Sequence, residues 1–187
     1  MHVEQVRWVR RWEADVTASE HSALTELLAA IYPAHSTTFR GSRDYTGARP
    51  EGRVVGLLGD RPVAHLGFLR RTLRLDTGDE SVFCGDVGLV GVHPDHQGKG
   101  VGLRLLHEAQ GVFDRLALPY GFLTCRPAVV PFYERAGWRR VVGQVSEMLD
   151  NDLRREVNTG PALVLPVHAR FSEWPSTRVV VRDGLEV

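Results

Sequence analysis

The chain has 187 residues, 43% hydrophobic and 25% charged, which suits one globular domain able to bury a core. Lys plus Arg and Asp plus Glu each number 23, so the formal net charge is zero and nothing in the balance selects for nucleic acid or an anionic membrane as partner. Two cysteines without a Cys-x-x-Cys exclude a disulfide framework, no apolar run reaches the length of a membrane span, and MHVEQVRWVRRWE is not a signal peptide. The expectation is a single cytoplasmic domain over residues 1–187.

Val6 to Glu13 sets Val6, Trp8 and Val9 among arginines and reads as an edge strand. Ser19 is a candidate cap for a helix through Tyr32, with Leu24, Leu27, Leu28 and Ile31 at helical spacing, and Pro33 stops it. Residues 34–52 are polar and rich in Gly and Pro, a long loop of the kind that often binds ligands. Arg53 to Leu58 and Val63 to Leu75 form a hairpin across Gly59-Asp60-Arg61-Pro62. A turn at 77–80 leads to a third strand, Ser81 to Val92. Next comes His93-Pro94-Asp95-His96-Gln97-Gly98-Lys99-Gly100-Val101-Gly102, then an amphipathic helix to Leu116 and a strand Tyr120 to Cys125. Such a strand–helix–strand unit implies parallel strands. Val129 to Ala136 reads as a short helix closed by Gly137. Trp138 to Leu149 and Pro161 to Val167 are two more strands, 151–160 is a polar connection, and Thr177 to Val181 is extended within a mixed tail.

Gly98, Gly100 and Gly102 let the backbone approach a ligand, and the helix that follows offers unpaired N–H groups to a phosphate. A Walker loop needs Ser or Thr after the lysine and a glycine five residues before Gly98, and has neither here. A dinucleotide fingerprint needs Gly-x-Gly-x-x-Gly and an acidic residue about 20 positions later, and three antiparallel strands precede this loop instead. Gln97-Gly98-Lys99-Gly100-Val101-Gly102 resembles the Gln/Arg-x-x-Gly-x-Gly/Ala pyrophosphate loop of the GNAT acyltransferases. The order of elements resembles that superfamily too. The resemblance implies an α/β (α+β) GNAT fold: a mixed central sheet, an antiparallel N-terminal meander, and parallel strands splayed around the coenzyme A loop. It implies acetyl-CoA or another acyl-CoA as co-substrate, with the pantetheine arm along Val90, Gly91 and Val92 and the pyrophosphate at Gln97 to Gly102. Dimers by edge pairing are common in the superfamily, so a homodimer is a possible assembly.

Acyl transfer to an amine calls for a base, an oxyanion donor and an acid for the leaving thiolate. Phe132-Tyr133-Glu134-Arg135-Ala136-Gly137-Trp138 resembles the GNAT segment whose tyrosine faces the thioester sulfur, which makes Tyr133 the candidate acid. The competing reading is a helix tyrosine packed on the sheet. Arg126-Pro127 departs from the asparagine usual earlier in that segment. Asp86, an acid inside an apolar strand, is the candidate base, with a pKa raised by desolvation; the competing reading is a carboxylate paired with an arginine. The oxyanion donor implied by the superfamily is the backbone N–H around Val90. His93 and His96 lack Cys or carboxylate partners at ligand spacing, so no metal is expected.

Residues 41–51, 64–71 and 172–176 resemble stretches of the nodulation N-acyltransferases, which attach a fatty acyl chain to the free amine of a chitin-like oligosaccharide. Residues 84–98 and 163–167 resemble the aminoglycoside 2′-N-acetyltransferases. Both act on a sugar amine. The completeness of the coenzyme A loop favours acetyl-CoA and an aminoglycoside-type or other amino-sugar acceptor. The alternatives are a nodulation-type enzyme fed by acyl-carrier protein, a protein N-acetyltransferase, and a non-catalytic acyl-CoA binder. For a cationic acceptor, Asp86, Asp44, Asp183, Glu186 and the terminal carboxylate of Val187 are candidate anchors, and Tyr45 and Trp174 candidate stacking faces.

Overall fold

Short apolar runs bounded by turn residues produce the first strands. β1 (Arg7–Trp12) pairs antiparallel with β2 (Gly52–Leu58), and β2 with the start of β3 (Arg61–Leu75), as the expected edge strand and hairpin require. The computed structural model describes residues 5–76 and 78–187; the first four residues and position 77 of the expected turn lie outside the described residues. The chain divides into two units, one of Met1–Phe68, Gly88–Ala109 and Val187, the other of Leu69–Val87 and Gln110–Glu186. β3, β4 (Ser81–Val92) and α2 (Val101–Arg115) contribute to both.

In the first unit, α1 spans Ala18–Ile31. Its cap is Thr17, not Ser19: the Thr17 side chain accepts from the Glu20 N–H and Glu20 answers the Thr17 N–H, a capping box that Ser19, already inside the helix, cannot form. One face of α1 buries Leu24 and Leu27 against Val55, with Val9, Val16 and Leu57 around them. Leu28 packs with Phe39 of the long loop and Leu89 of β4. Each such burial stabilises by about 1.5–3 kcal/mol. Gly91 admits α1 onto β4, since a Cβ there would lie 2.4 Å from Ile31 Cγ2.

The second unit holds the strand order β6-β9-β5-β4-β3-β10-β7-β8. β5 (Tyr120–Thr124) runs parallel to β4 over the short ladder Gly85↔Gly121 and Asp86↔Phe122, as the strand–helix–strand unit implies. β9 (Ala162–Pro166) is antiparallel to β5 and to β6 (Arg139–Val141). β10 (Val179–Leu185) lies between β3 and β7 (Val145–Leu149), antiparallel to the first and parallel to the second. The polar connection at 151–160 contains a strand after all, β8 (Arg155–Asn158), paired antiparallel to β7. The expected single strand Trp138 to Leu149 is two, broken where Gly143 takes φ +80°.

The core of this unit gathers Leu73, Cys84, Phe122, Val164 and Val180 around Trp174. Trp174 stacks on Phe122 with centroids 5.6 Å apart and donates Nε1–H to Gln144 Oε1 at 3.1 Å. A ring buried and bonded in this way has no face for a sugar, which corrects the expectation for Trp174. α3 (Val130–Glu134) is shorter than the expected Val129 to Ala136: its C-cap is Arg135, and Gly137, at φ +86°, lies in the turn that follows. No helix among the described residues is long and apolar enough to cross a membrane.

Candidate active site

The glycine loop starts from a pinned strand end. His93 donates its backbone N–H to Val63 O at 2.8 Å, and Gln97 Nε2 donates to Val92 O at 3.0 Å. Gln97 therefore acts as a strut between β4 and the loop. Gly98 and Gly100 take φ of +72° and +78°, with nothing within 4 Å of where a Cβ would stand. Both features keep an open backbone surface at the head of α2, whose first N–H groups lack intrahelical partners. Val101 and Gly102 supply two of them. Lys99 lies beside this surface, donating its ammonium to Asp95 O at 2.8 Å. These features suit a pyrophosphate.

Upstream in the same unit, Leu89 takes φ +53°, a left-handed kink in β4 ahead of Val90, Gly91 and Val92. The Leu89 carbonyl accepts from His65 Nδ1 at 2.8 Å, and the Val90 carbonyl accepts from the Tyr32 hydroxyl at 2.7 Å. Arg53 Nη1 donates to His65 Nε2 at 3.0 Å. Because Nε2 accepts, the proton sits on Nδ1 and the ring is neutral. Burial, reinforced by the Arg53 guanidinium, lowers the His65 pKa to about 3.

Arg53 is itself fully buried, donating Nε to Glu13 at 2.8 Å and Nη2 to Asp44 at 2.8 Å. Burial alone would raise the Glu13 pKa, but Arg53 and Arg49 together hold it below its usual value. Asp44 is completely buried, bonded through its other oxygen to His21 Nδ1 at 2.9 Å. It is thus a structural ion pair and not the exposed acceptor anchor expected of it. Glu13, His21 and Asp44 converge closely enough to suggest a metal site, but both carboxylates already face guanidinium groups. Tyr45 is half-buried under the Arg43 and Arg49 side chains, whose guanidinium carbons lie 5.5 and 5.7 Å from its ring.

In the second unit, Asp86 is fully buried between two arginines. Arg182 Nε approaches its oxygens at 3.2 and 3.0 Å, and Arg71 Nη1 lies 3.4 Å away. The carboxylate oxygens are thus occupied by two guanidinium groups, with no room left beside them for an acceptor amine to reach. Asp86 stands in the arginine-paired arrangement of the competing reading. Arg182 also donates to Ser146 Oγ at 2.5 Å and Thr124 Oγ1 at 3.3 Å, and lies over the Phe122 ring. Its guanidinium is held charged: burial opposes this, and Asp86 and Glu186 outweigh burial. Glu186 accepts from Thr124 and sits 3.3 Å from Arg182, both through Oε1. Among the described residues nothing is bonded to its Oε2, and the side chain is 29% exposed.

Asp183, at φ +37°, is exposed and committed to an ion pair with Arg74, which holds its carboxyl below the usual range. Tyr133 is buried on α3, edge-on to Phe132 and Trp138 at 5.1 and 5.9 Å. Neither thiol is a ready nucleophile. Burial pushes Cys84 well above its usual pKa and Cys125 up to about 11. The residues that sequence reasoning missed are His65, Arg53, Arg71 and Arg182. His65 and Arg53 adjoin apolar runs, which is a signal; Arg71, among Arg70, Thr72 and Arg74, and Arg182, before Asp183, carry none.

These elements, a kinked β4 followed by a glycine loop at a helix head, define a GNAT-type acyltransferase fold. The structure of YhbS from Escherichia coli in complex with CoA shares it with a TM-score of 0.64 over 98% of this chain and 94% of that one, at 14% identity. An acyl-CoA N-acyltransferase from Pseudomonas aeruginosa shares it with a TM-score of 0.59 over 86% and 99%, at 18% identity.

The family model described as Nodulation protein A (NodA) matches residues 3–187, and the chain belongs to that family. Nodulation protein A of Rhizobium tropici is 34% identical over 196 residues, covering 98% of each chain. That of Rhizobium leguminosarum bv. trifolii is 32% identical over 197 residues, covering 97% of this chain and 98% of its own. The matches favour the nodulation-type alternative over the aminoglycoside-type acceptor that led the expectations.

Proposed function

We propose that the protein is an N-acyltransferase of the nodulation type, moving an acyl group from a coenzyme A thioester to a free amine of a glucosamine-type sugar. The observation that carries the reading is the loop itself. Gly98 and Gly100 hold positive φ beside open space at the head of α2, one strand end away from the left-handed kink at Leu89. Family membership supports the acceptor class, and the complete loop supports coenzyme A over a carrier protein as donor.

In the proposed reaction the neutral amine attacks the thioester carbonyl. A C–N bond forms, the C–S bond breaks, the amine loses a proton, and the leaving thiolate gains one. The Val90 N–H stabilises the oxyanion. The resemblance of its segment makes Tyr133 the acid. For the acceptor ammonium, the expected side-chain anchors reduce to Glu186, because Asp44 and Asp86 are buried in ion pairs and Asp183 is held by Arg74. Direct transfer fits two thiols whose pKa values are raised. Mass spectrometry of products from acyl-CoA and a de-N-acetylated chitin oligosaccharide tests the reading; transfer to a peptide panel but to no sugar would replace it with a protein acetyltransferase.

A further inference from the structure

We propose that His65 is a positioning residue that fixes the kink of β4 at Leu89 and thereby aims the Val90 N–H at the acyl thioester. The inference rests on the proposed function for its chemistry and on the first unit alone for its geometry. A leucine in the left-handed region is unfavourable, because its Cβ crowds the backbone, and persists only where its surroundings determine it. At Leu89 they do. The side chain packs with Leu28 and Phe39. The carbonyl turns to a side-chain donor, His65 Nδ1 at 2.8 Å.

The peptide unit makes that bond directional. The Leu89 C=O and the Val90 N–H belong to one planar trans peptide and point opposite ways. Holding the carbonyl on His65 therefore sets the direction of the Val90 N–H. The next peptide is held in the same manner, with the Val90 carbonyl on the Tyr32 hydroxyl at 2.7 Å setting the Gly91 N–H. Two successive donors are thus aimed by two side chains acting on the far ends of their peptides.

His65 is in turn unable to swing. Its Nε2 accepts from Arg53, and Arg53 is fixed by Glu13 and Asp44. Asp44 is fixed by His21 of α1. The long loop, α1, β2 and β3 therefore converge on one carbonyl. A histidine suits this place because it donates from one nitrogen and accepts from the other while carrying no charge. Lysine or arginine would bring a second buried cation beside Arg53.

The test compares His65→Leu, which removes the donor, with His65→Asn, whose amide nitrogen overlays Nδ1. Tyr32→Phe, which removes one hydroxyl, is run in parallel and stands in if the leucine variant does not fold. Two readouts are taken: amide hydrogen exchange at Leu89 to Gly91, and kcat with the Kd for coenzyme A. Exchange at these amides is expected to rise at least about tenfold in His65→Leu, with kcat falling about 10- to 100-fold. The Kd for coenzyme A should stay within about threefold, because the pyrophosphate loop is untouched, and His65→Asn should recover most of kcat. A folded His65→Leu or Tyr32→Phe protein with wild-type kcat overturns the proposal even if exchange rises. So does a Kd for coenzyme A that rises in step with the fall in kcat. Wild-type protein without turnover on any donor overturns the functional reading, and this inference with it.

Discussion

Replacing Asp86 by asparagine separates a positioning carboxylate from a catalytic base. The substitution keeps the shape and removes the charge that Arg182 Nε meets at 3.0 and 3.2 Å and Arg71 Nη1 at 3.4 Å. Arg182 is fully buried, so the loss leaves a cation without a counter-ion on that side. Removing one partner of a buried pair costs about 3–5 kcal/mol, and the retained amide oxygen puts Asp86→Asn near the lower end, about 3 kcal/mol. For a chain of this size that is about 6–12 °C in Tm.

Thermal unfolding followed by tryptophan fluorescence reads the effect, since Trp174 stacks on the Phe122 ring that Arg182 covers. The double variant Asp86→Leu/Arg182→Met should be less destabilised than either single one, because it removes both charges together. A Tm for Asp86→Asn within about 2 °C of wild type, with kcat abolished, would refute the argument and restore Asp86 as the base.

Three further outcomes follow from the structure. Gly100→Val forces a branched residue to φ +78° and should raise the Kd for coenzyme A at least about tenfold by calorimetry, with little change in the far-ultraviolet circular dichroism spectrum. Glu186→Gln should raise the acceptor KM several-fold and leave the KM for the donor unchanged; equal changes in both would remove Glu186 as the ammonium anchor. Acid should destabilise the fold through His65. Its folded pKa of about 3 lies below the unfolded value of 6.5, so the unfolded chain binds the extra proton and stability is lost as pH falls below 6.5. Between pH 6.5 and 4.5 the loss is about 2–3 kcal/mol, and in urea unfolding that slope should be absent from His65→Asn.

The glycine loop, the strands of the meander and α2 were legible because each is a local pattern: spacing of Gly98, Gly100 and Gly102, apolar runs bounded by turn residues, and a helical stripe. The site's polar framework was not. Asp44 stands in a polar loop and reads as exposed, and only its burial against His21 and Arg53 makes it structural. Asp86 was rightly singled out as an acid in an apolar strand, but its partners Arg71 and Arg182 lie 15 positions before it and 96 after it. β8 escaped notice because Arg155-Glu156-Val157-Asn158 has one apolar residue, and its pairing with β7 supplies what propensity does not. Trp174 reads as a stacking face for a sugar, whereas the indole fills the core of the second unit.

The most direct measurement of the central claim is mass spectrometry of the acceptor after incubation with acyl-CoA of increasing chain length. The account predicts one acyl group in amide linkage on a free sugar amine, one free thiol released per amide formed, and loss of both in Gly100→Val. Thiol release without acylated sugar, or acylation that Gly100→Val leaves intact, would contradict it.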